Sequence, residues 1–143
     1  MDELSEAVAA ALKFMKVRER FPDEVRKALL SKGFLEEATE AALVHLERRG
    51  LLSQARASEA LIRSRSGKRA LGDARLSADL EAHGATLDEV GVASEIERAR
   101  VVAEAKMRNG TDPGKLSRFL SGRGFSEDTI RSLLEELFPD AFG

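Results

Sequence analysis

Three short stretches of this 143-residue chain share one shape: LLSKGF at Leu29–Phe34, LEAHGA at Leu80–Ala85 and LSGRGF at Leu120–Phe125. Each opens on leucine, places glycine four residues later and follows it with Phe or Ala. Each also closes a segment whose apolar residues recur at helical spacing: Val25 and Leu29, Leu76 and Leu80, Leu116 and Leu120. Residues four apart lie on one helix face. A glycine just past such a stripe takes the left-handed conformation that ends a helix, at no steric cost. With Gly33, Gly84 and Gly124 at C′, the leucine four residues earlier is C3 and the next residue is C″, the apolar pair of a Schellman cap. The motif therefore predicts three helix stops, clasped by Leu29–Phe34, Leu80–Ala85 and Leu120–Phe125. Ala85 is the smallest closing residue, so the middle clasp is expected to be the loosest.

The flanks repeat as well. Asp112–Pro113 reads as N-cap and N1, Pro22 precedes Asp23 and Glu24, and Gly72–Asp73 holds the same place in the middle copy. A new helix is expected after each stop. Ser126 is a good N-cap ahead of Glu127 and Asp128, and Thr86 with Glu89 makes a capping box. Leu35 is a poor cap, although Glu36 and Glu37 suit the helix dipole. The apolar set Ala42, Leu43, Leu46 returns as Leu133, Leu134, Leu137. The middle post-glycine segment is the weakest, and Gly91 is expected to end it early.

A third helix leads into each pair, over about 4–17, 53–65 and 94–107. The first carries Val8, Ala11, Leu12 and Met15 on one face, and the last has Val101, Val102 and Ala105 as its apolar residues. The expected fold is thus all-α, with tandem three-helix, helix-turn-helix-like repeats over 1–50, 51–92 and 93–143. The glycines stand 51 and 40 residues apart, so the repeat is imperfect. A helix pair cannot close a core alone, and stacked units bury what each leaves open. An elongated, curved body is expected.

Composition agrees. Ala, Leu, Glu and Arg dominate, which favours helix, and β-branched residues never alternate over a strand length. The absence of cysteine excludes disulfides and thiolate zinc sites. No apolar run approaches the ~18–20 residues of a membrane span, and the MDEL start carries acids where a secretory signal carries bases. A cytoplasmic monomer without membrane contact is expected. Net charge is −2, so any pull toward nucleic acid must come from a local patch.

Catalytic chemistry finds little support. His45 sits between Val44 and Leu46 in a helical stripe, and His83 stands in the last turn before Gly84, where a cation suits the dipole. Neither belongs to a metal-ligand spacing, and Ser66-Gly67-Lys68 lacks the pattern of a phosphate loop. No enzyme activity and no cofactor are expected.

The basic stretch is the candidate site. Arg63, Arg65, Lys68 and Arg69 fall within seven residues, no acid lies between Ala60 and Gly72, and Arg56 and Arg75 flank the group. Such a cluster suits phosphates, with salt-dependent affinity, or the acidic surface of a protein. Helical spacing puts Arg56, Glu59 and Arg63 on one face, where Glu59 can pair with both arginines. Arg65 falls on the apolar side with Ala57, Leu61 and Ile62, so the helix ends there or the side chain reaches around its edge. A solvated face accounts for Arg56 and Arg63; contact with a partner accounts better for Arg65, Lys68 and Arg69. A second group, Lys13, Lys16, Arg18 and Arg20, is broken by Glu19 and carries less weight. The seven phenylalanines read as core or cap residues, with only Phe14 and Phe21 beside bases.

The ordered set PDEVRKALLSKGF (22–34), LERRGLL (46–52), RASEALIRSRS (56–66) and LSADLEAHG (76–84) resembles the RecX family, bacterial regulators of the RecA recombinase. Lys32-Gly33-Phe34, Leu46 through Leu52 and Ala57 through Arg69 carry the match, which extends through the third unit at 112–137. The chain departs where the family has an Asp-Asp and an Arg-Phe pair: here Ser53-Gln54-Ala55-Arg56-Ala57 follows the joint. Leu71 stands near the place of a family aromatic. The resemblance implies tandem three-helix units that bind RecA, or its filament on single-stranded DNA, and restrain it without catalysis. A general helical DNA-binding module and a protein-interaction scaffold are the alternatives.

Overall fold

Each leucine–glycine stretch ends its helix with the same pair of backbone hydrogen bonds. Phe34 N–H donates to the Leu29 carbonyl at 3.2 Å, and Gly33 N–H to the Leu30 carbonyl at 3.0 Å. Ala85 donates to Leu80 at 3.0 Å and Phe125 to Leu120 at 3.2 Å, with Gly84 and Gly124 making the inner bonds at 3.0 Å. These are the two bonds of a Schellman cap, and the glycines hold φ at +94°, +75° and +85°. The middle stop is not the loose one. Its outer bond is the shortest of the three, and Ala85 is buried, because a methyl group fits close against the helix end. A fourth stop shares the geometry. Leu51 N–H reaches the Leu46 carbonyl at 2.9 Å and Gly50 N–H the Glu47 carbonyl at 3.0 Å.

The structure, a computed structural model, describes residues 2–142, excepting the side chains of Glu89 and Phe142. The described residues are helical and contain no strand. The helices are α1 (Glu3–Met15), α2 (Pro22–Ser31), α3 (Glu36–Arg48), α4 (Gln54–Ser64), α5 (Asp73–Glu81), α6 (Glu95–Arg108), α7 (Pro113–Gly122), α8 (Glu127–Leu137) and α9 (Pro139–Phe142). Side-chain caps start several of them. Asp2 accepts from Ser5 N–H at 2.7 Å, Asp112 from Lys115 N–H at 2.9 Å, and Ser126 from Thr129 N–H at 3.2 Å. Leu35 has no acceptor to offer, and its own N–H is taken by the Glu3 carboxylate at 3.0 Å. The expected helix after Gly84 is only a 3₁₀ turn, Leu87–Glu89. Between Gly84 and Gly91 there is too little chain for an amphipathic face. Thr86 makes no side-chain cap bond there, and the side chain of its expected partner Glu89 lies outside the described residues.

The chain divides into two compact units, Met1–Ala60 and Leu61–Gly143. In the first, α1 packs on α2 and α3. Its core joins Ala7 and Ala11 to Val25, Leu29, Ala42, Leu43, Leu46 and Leu52. The apolar face of α1 is therefore centred on alanines, and Leu12, expected on that face, is 42% exposed. Small side chains let the two other helices approach closely, and the leucines that fill the contact come from α2 and α3. Each fully buried leucine contributes about 1.5–3 kcal/mol. Arg26 on α2 and Glu40 on α3 pair at 2.5 Å across this unit. Their hydrogen bond holds the Glu40 carboxyl below its ordinary value and raises Arg26.

In the second unit, Ala99, Val102 and Ala103 of α6 meet Leu116 and Leu120 of α7 and Ile130, Leu133 and Leu134 of α8. Val101, one of the apolar residues of α6, is 47% exposed. Two polar side chains organise the helix starts around this core. The Glu95 carboxylate accepts from the Asp73 N–H at 2.7 Å, from the Ser126 N–H at 3.2 Å and from the Thr129 hydroxyl at 2.6 Å. One residue on α6 thus serves the first turns of α5 and α8. Burial pushes its carboxyl up, but the hydrogen bonds from Thr129, Asp73 and Ser126 outweigh that and leave it below its ordinary value. Arg98, buried on α6, donates to the carbonyls of Ala93 at 3.0 Å and Leu71 at 2.5 Å and pairs with Asp73.

Candidate functional site

The basic stretch folds into a turn and not into one helical face. α4 ends at Ser64, so Arg65 lies past the helix, and Gly67–Arg69 form a 3₁₀ turn. The six expected cations consequently separate. Arg56 lies in the first unit, where it bonds Glu19 at 3.1 Å and the Gly50 carbonyl at 2.8 Å; its expected pairing with Glu59 does not form. It acts as a brace between the α1–α2 loop and the stop at Gly50. Arg63 is exposed and has no ion pair among the described residues. Arg65 stands 3.8 Å from Asp79 and donates to the Ser64 hydroxyl at 2.9 Å. Arg75 donates to the Gly122 carbonyl at 2.8 Å and lays its side chain over Gly124.

Lys68 and Arg69 remain, and packing brings two further cations to them. Together with Lys106 of α6 and Arg123 at the end of α7 they line a cleft of about 250 Å³. Val102 and Ala105 form part of its floor, Asn109 and Phe119 part of its wall, and no carboxylate lines it. None of the four cations has an ion pair among the described residues. The Lys106 ammonium lies 4.1 Å from the centre of the Phe119 ring and the Arg123 guanidinium 4.8 Å from it. Such contacts contribute about 0.5–1 kcal/mol at exposed sites. They hold both cations at the cleft without neutralising them. Arg123 is fixed further by donating to the carbonyls of Lys68 and Ala70, both at 3.3 Å.

Helix ends account for part of this arrangement. Lys106 and Arg123 sit near helix C-termini, where a cation complements the dipole. That does not account for Lys68 and Arg69 arriving at the same place, nor for the lack of a carboxylate. Four unpaired cations around a small cleft attract an anion, through charge and hydrogen bonds that strengthen as water is excluded. Phe119 is thus the aromatic residue set among bases in this unit, a role the sequence suggested only for Phe14 and Phe21. Phe21 is buried, and Phe14 is covered by Arg20 at 4.1 Å. The second basic group is partly neutralised: Arg18 and Arg20 both face Glu24, at 2.6 and 3.5 Å. No group of His, Asp or Glu suited to a metal ion occurs among the described residues, and no helix there is long and apolar enough to cross a membrane.

No family model matches the chain. Curated relatives do. The regulatory protein RecX of Pseudomonas putida strain F1 is 36% identical over 135 residues, covering 87% of this chain and 86% of its own. The regulatory protein RecX of Herbaspirillum seropedicae is 31% identical over 142 residues, covering 92% and 91%. Among solved structures, RecX from Lactobacillus salivarius superposes with a TM-score of 0.76 at 21% identity, covering 95% of this chain and 97% of that one. A second RecX crystal structure gives a TM-score of 0.69 at 18% identity. Both structures carry the same helical fold.

Proposed function

The chain belongs to the RecX family of regulatory proteins, and from that premise we propose that it binds the RecA recombinase, or the filament RecA forms on single-stranded DNA, and restrains its ATPase and recombination activity. The supporting observation is the cleft at Lys68, Arg69, Lys106 and Arg123, where unpaired cations await an acidic or phosphate-bearing partner. The role is one of binding and needs no catalytic group or cofactor of its own. The helical repeats over 1–50, 51–92 and 93–143 then act as successive contact units. Several weak contacts in one chain sum to a tighter hold than any one of them, as long as all can engage at once. The protein acts in the cytoplasm, as a monomer on its target.

The test follows ATP hydrolysis by RecA on single-stranded DNA as purified protein is added. Hydrolysis falls with added protein and levels off at saturation. A rate unchanged at saturating protein defeats the proposal.

A further inference from the structure

The cleft in the second unit has features that choose among anions. We infer that it is a subsite for the backbone of single-stranded nucleic acid, taking a phosphodiester group against Lys68, Arg69, Lys106 and Arg123. This rests on the proposed action at a protein–DNA filament, and adds that the chain itself touches the strand.

Size is the first reason. A cleft of about 250 Å³ is below the usual range of pockets for whole small molecules, about 300–1,000 Å³. It suits one phosphate and part of its nucleoside. Charge is the second. The two guanidinium groups offer planar forks that match a phosphate, and the two ammonium groups add point charges. The third reason separates a nucleic acid from an acidic peptide. Asn109 lines the cleft and donates from Nδ2 to the Ala105 carbonyl at 3.4 Å, which leaves Oδ1 and a second N–H of its amide free. An amide that offers both an acceptor and a donor suits the edge of a base. The apolar Val102 and Ala105 beside it suit a sugar or a base edge, which a run of carboxylates does not bring. Phe119 is not a bare stacking platform, because two cations sit against its ring. Recognition is therefore of backbone and shape, and tolerant of sequence.

The experiment measures fluorescence anisotropy of a labelled oligothymidylate with the full chain and no RecA, across a series of salt concentrations. The double variant Arg69→Ala, Lys106→Ala removes two exposed cations that make no ion pair, so a helical circular dichroism spectrum is expected, with the melting midpoint lowered by no more than a few degrees for the lost Lys106–Phe119 contact. Binding weakens roughly tenfold, and the slope of log affinity against log salt falls by about 0.7, the contribution of one phosphate contact on a single strand. The charge-keeping variant Arg69→Lys, Lys106→Arg retains the slope. Equal affinity and slope in the alanine variant overturn the inference. So does equal binding of an oligomer with an uncharged methylphosphonate backbone, or binding of polyglutamate with none of the oligothymidylate. RecA-dependent ATP hydrolysis, run in parallel, separates the two readings. Oligothymidylate binding without any effect on RecA keeps the subsite and removes the proposed function; an effect on RecA without oligothymidylate binding does the reverse.

Discussion

The Gly72 N–H donates to the Arg123 carbonyl at 2.9 Å, which seats the start of α5 on the stop that closes α7. Gly72 is buried there, and its φ of −69° is open to any residue, so its glycine identity comes from space alone. A Cβ at this position would overlap the Gly124 carbonyl. The contact holds the Gly67–Arg69 turn beside α7 and so shapes the basic cleft.

Gly72→Ala is therefore expected to cost about 1–3 kcal/mol, as overpacking against backbone does. Gly91→Ala is the control, since nothing lies within 4 Å of a Cβ there, and its effect should stay within ~0.5 kcal/mol. Calorimetric melting of both variants decides the matter. Equal midpoints for the two would refute the close approach.

How much of this could be read from sequence differs by element. The stops at Gly33, Gly84 and Gly124 were legible because a local backbone rule fixes them, and Leu133 and Leu134 because their spacing sets one face. The stop at Gly50 stood in the sequence only as the boundary between the first two repeats, although Leu46, Gly50 and Leu51 keep the same spacing; its closing Leu51 is 46% exposed. Leu12 was placed on the apolar face of α1 by hydrophobicity, whereas Ala7 and Ala11 are the residues buried there. Half of the cleft was legible in Lys68 and Arg69. Lys106 and Arg123 were not, since only packing brings α6 and α7 to that turn. Their one signal was position: each is a cation in a helix end, near Phe119 in the folded unit.

Burial should separate apolar residues that look alike in sequence. Leu133 is fully buried, and Leu133→Ala should cost about 2–5 kcal/mol. Val101→Ala, on an exposed face, should cost under ~0.5 kcal/mol. Urea midpoints of the two variants check this ordering, and a large loss from Val101→Ala would mean that α6 is turned the other way.

Glu95 makes stability depend on pH. Its carboxyl is held below the ordinary value of 4.5, with burial opposing and the bonds from Thr129, Asp73 and Ser126 prevailing. A carboxyl lowered by folding contributes stability above its unfolded value, and that contribution is lost as pH falls through its folded one. Stability should therefore decline below about pH 4.5. Glu95→Gln should lower stability near neutrality and flatten that decline, without removing it, because Glu40 and Glu136 are also held low by Arg26 and Arg100. Urea unfolding across the acid range measures the slope. A slope unchanged in the variant would show that Glu95 does not hold α5 and α8 through its charge.

The most direct measurement adds the purified chain to RecA assembled on single-stranded DNA and follows strand exchange as its concentration rises. Exchange should slow and then stop as the filament fills with the regulator, and ATP hydrolysis should fall with it. Full exchange at saturating protein would contradict a role in restraining RecA.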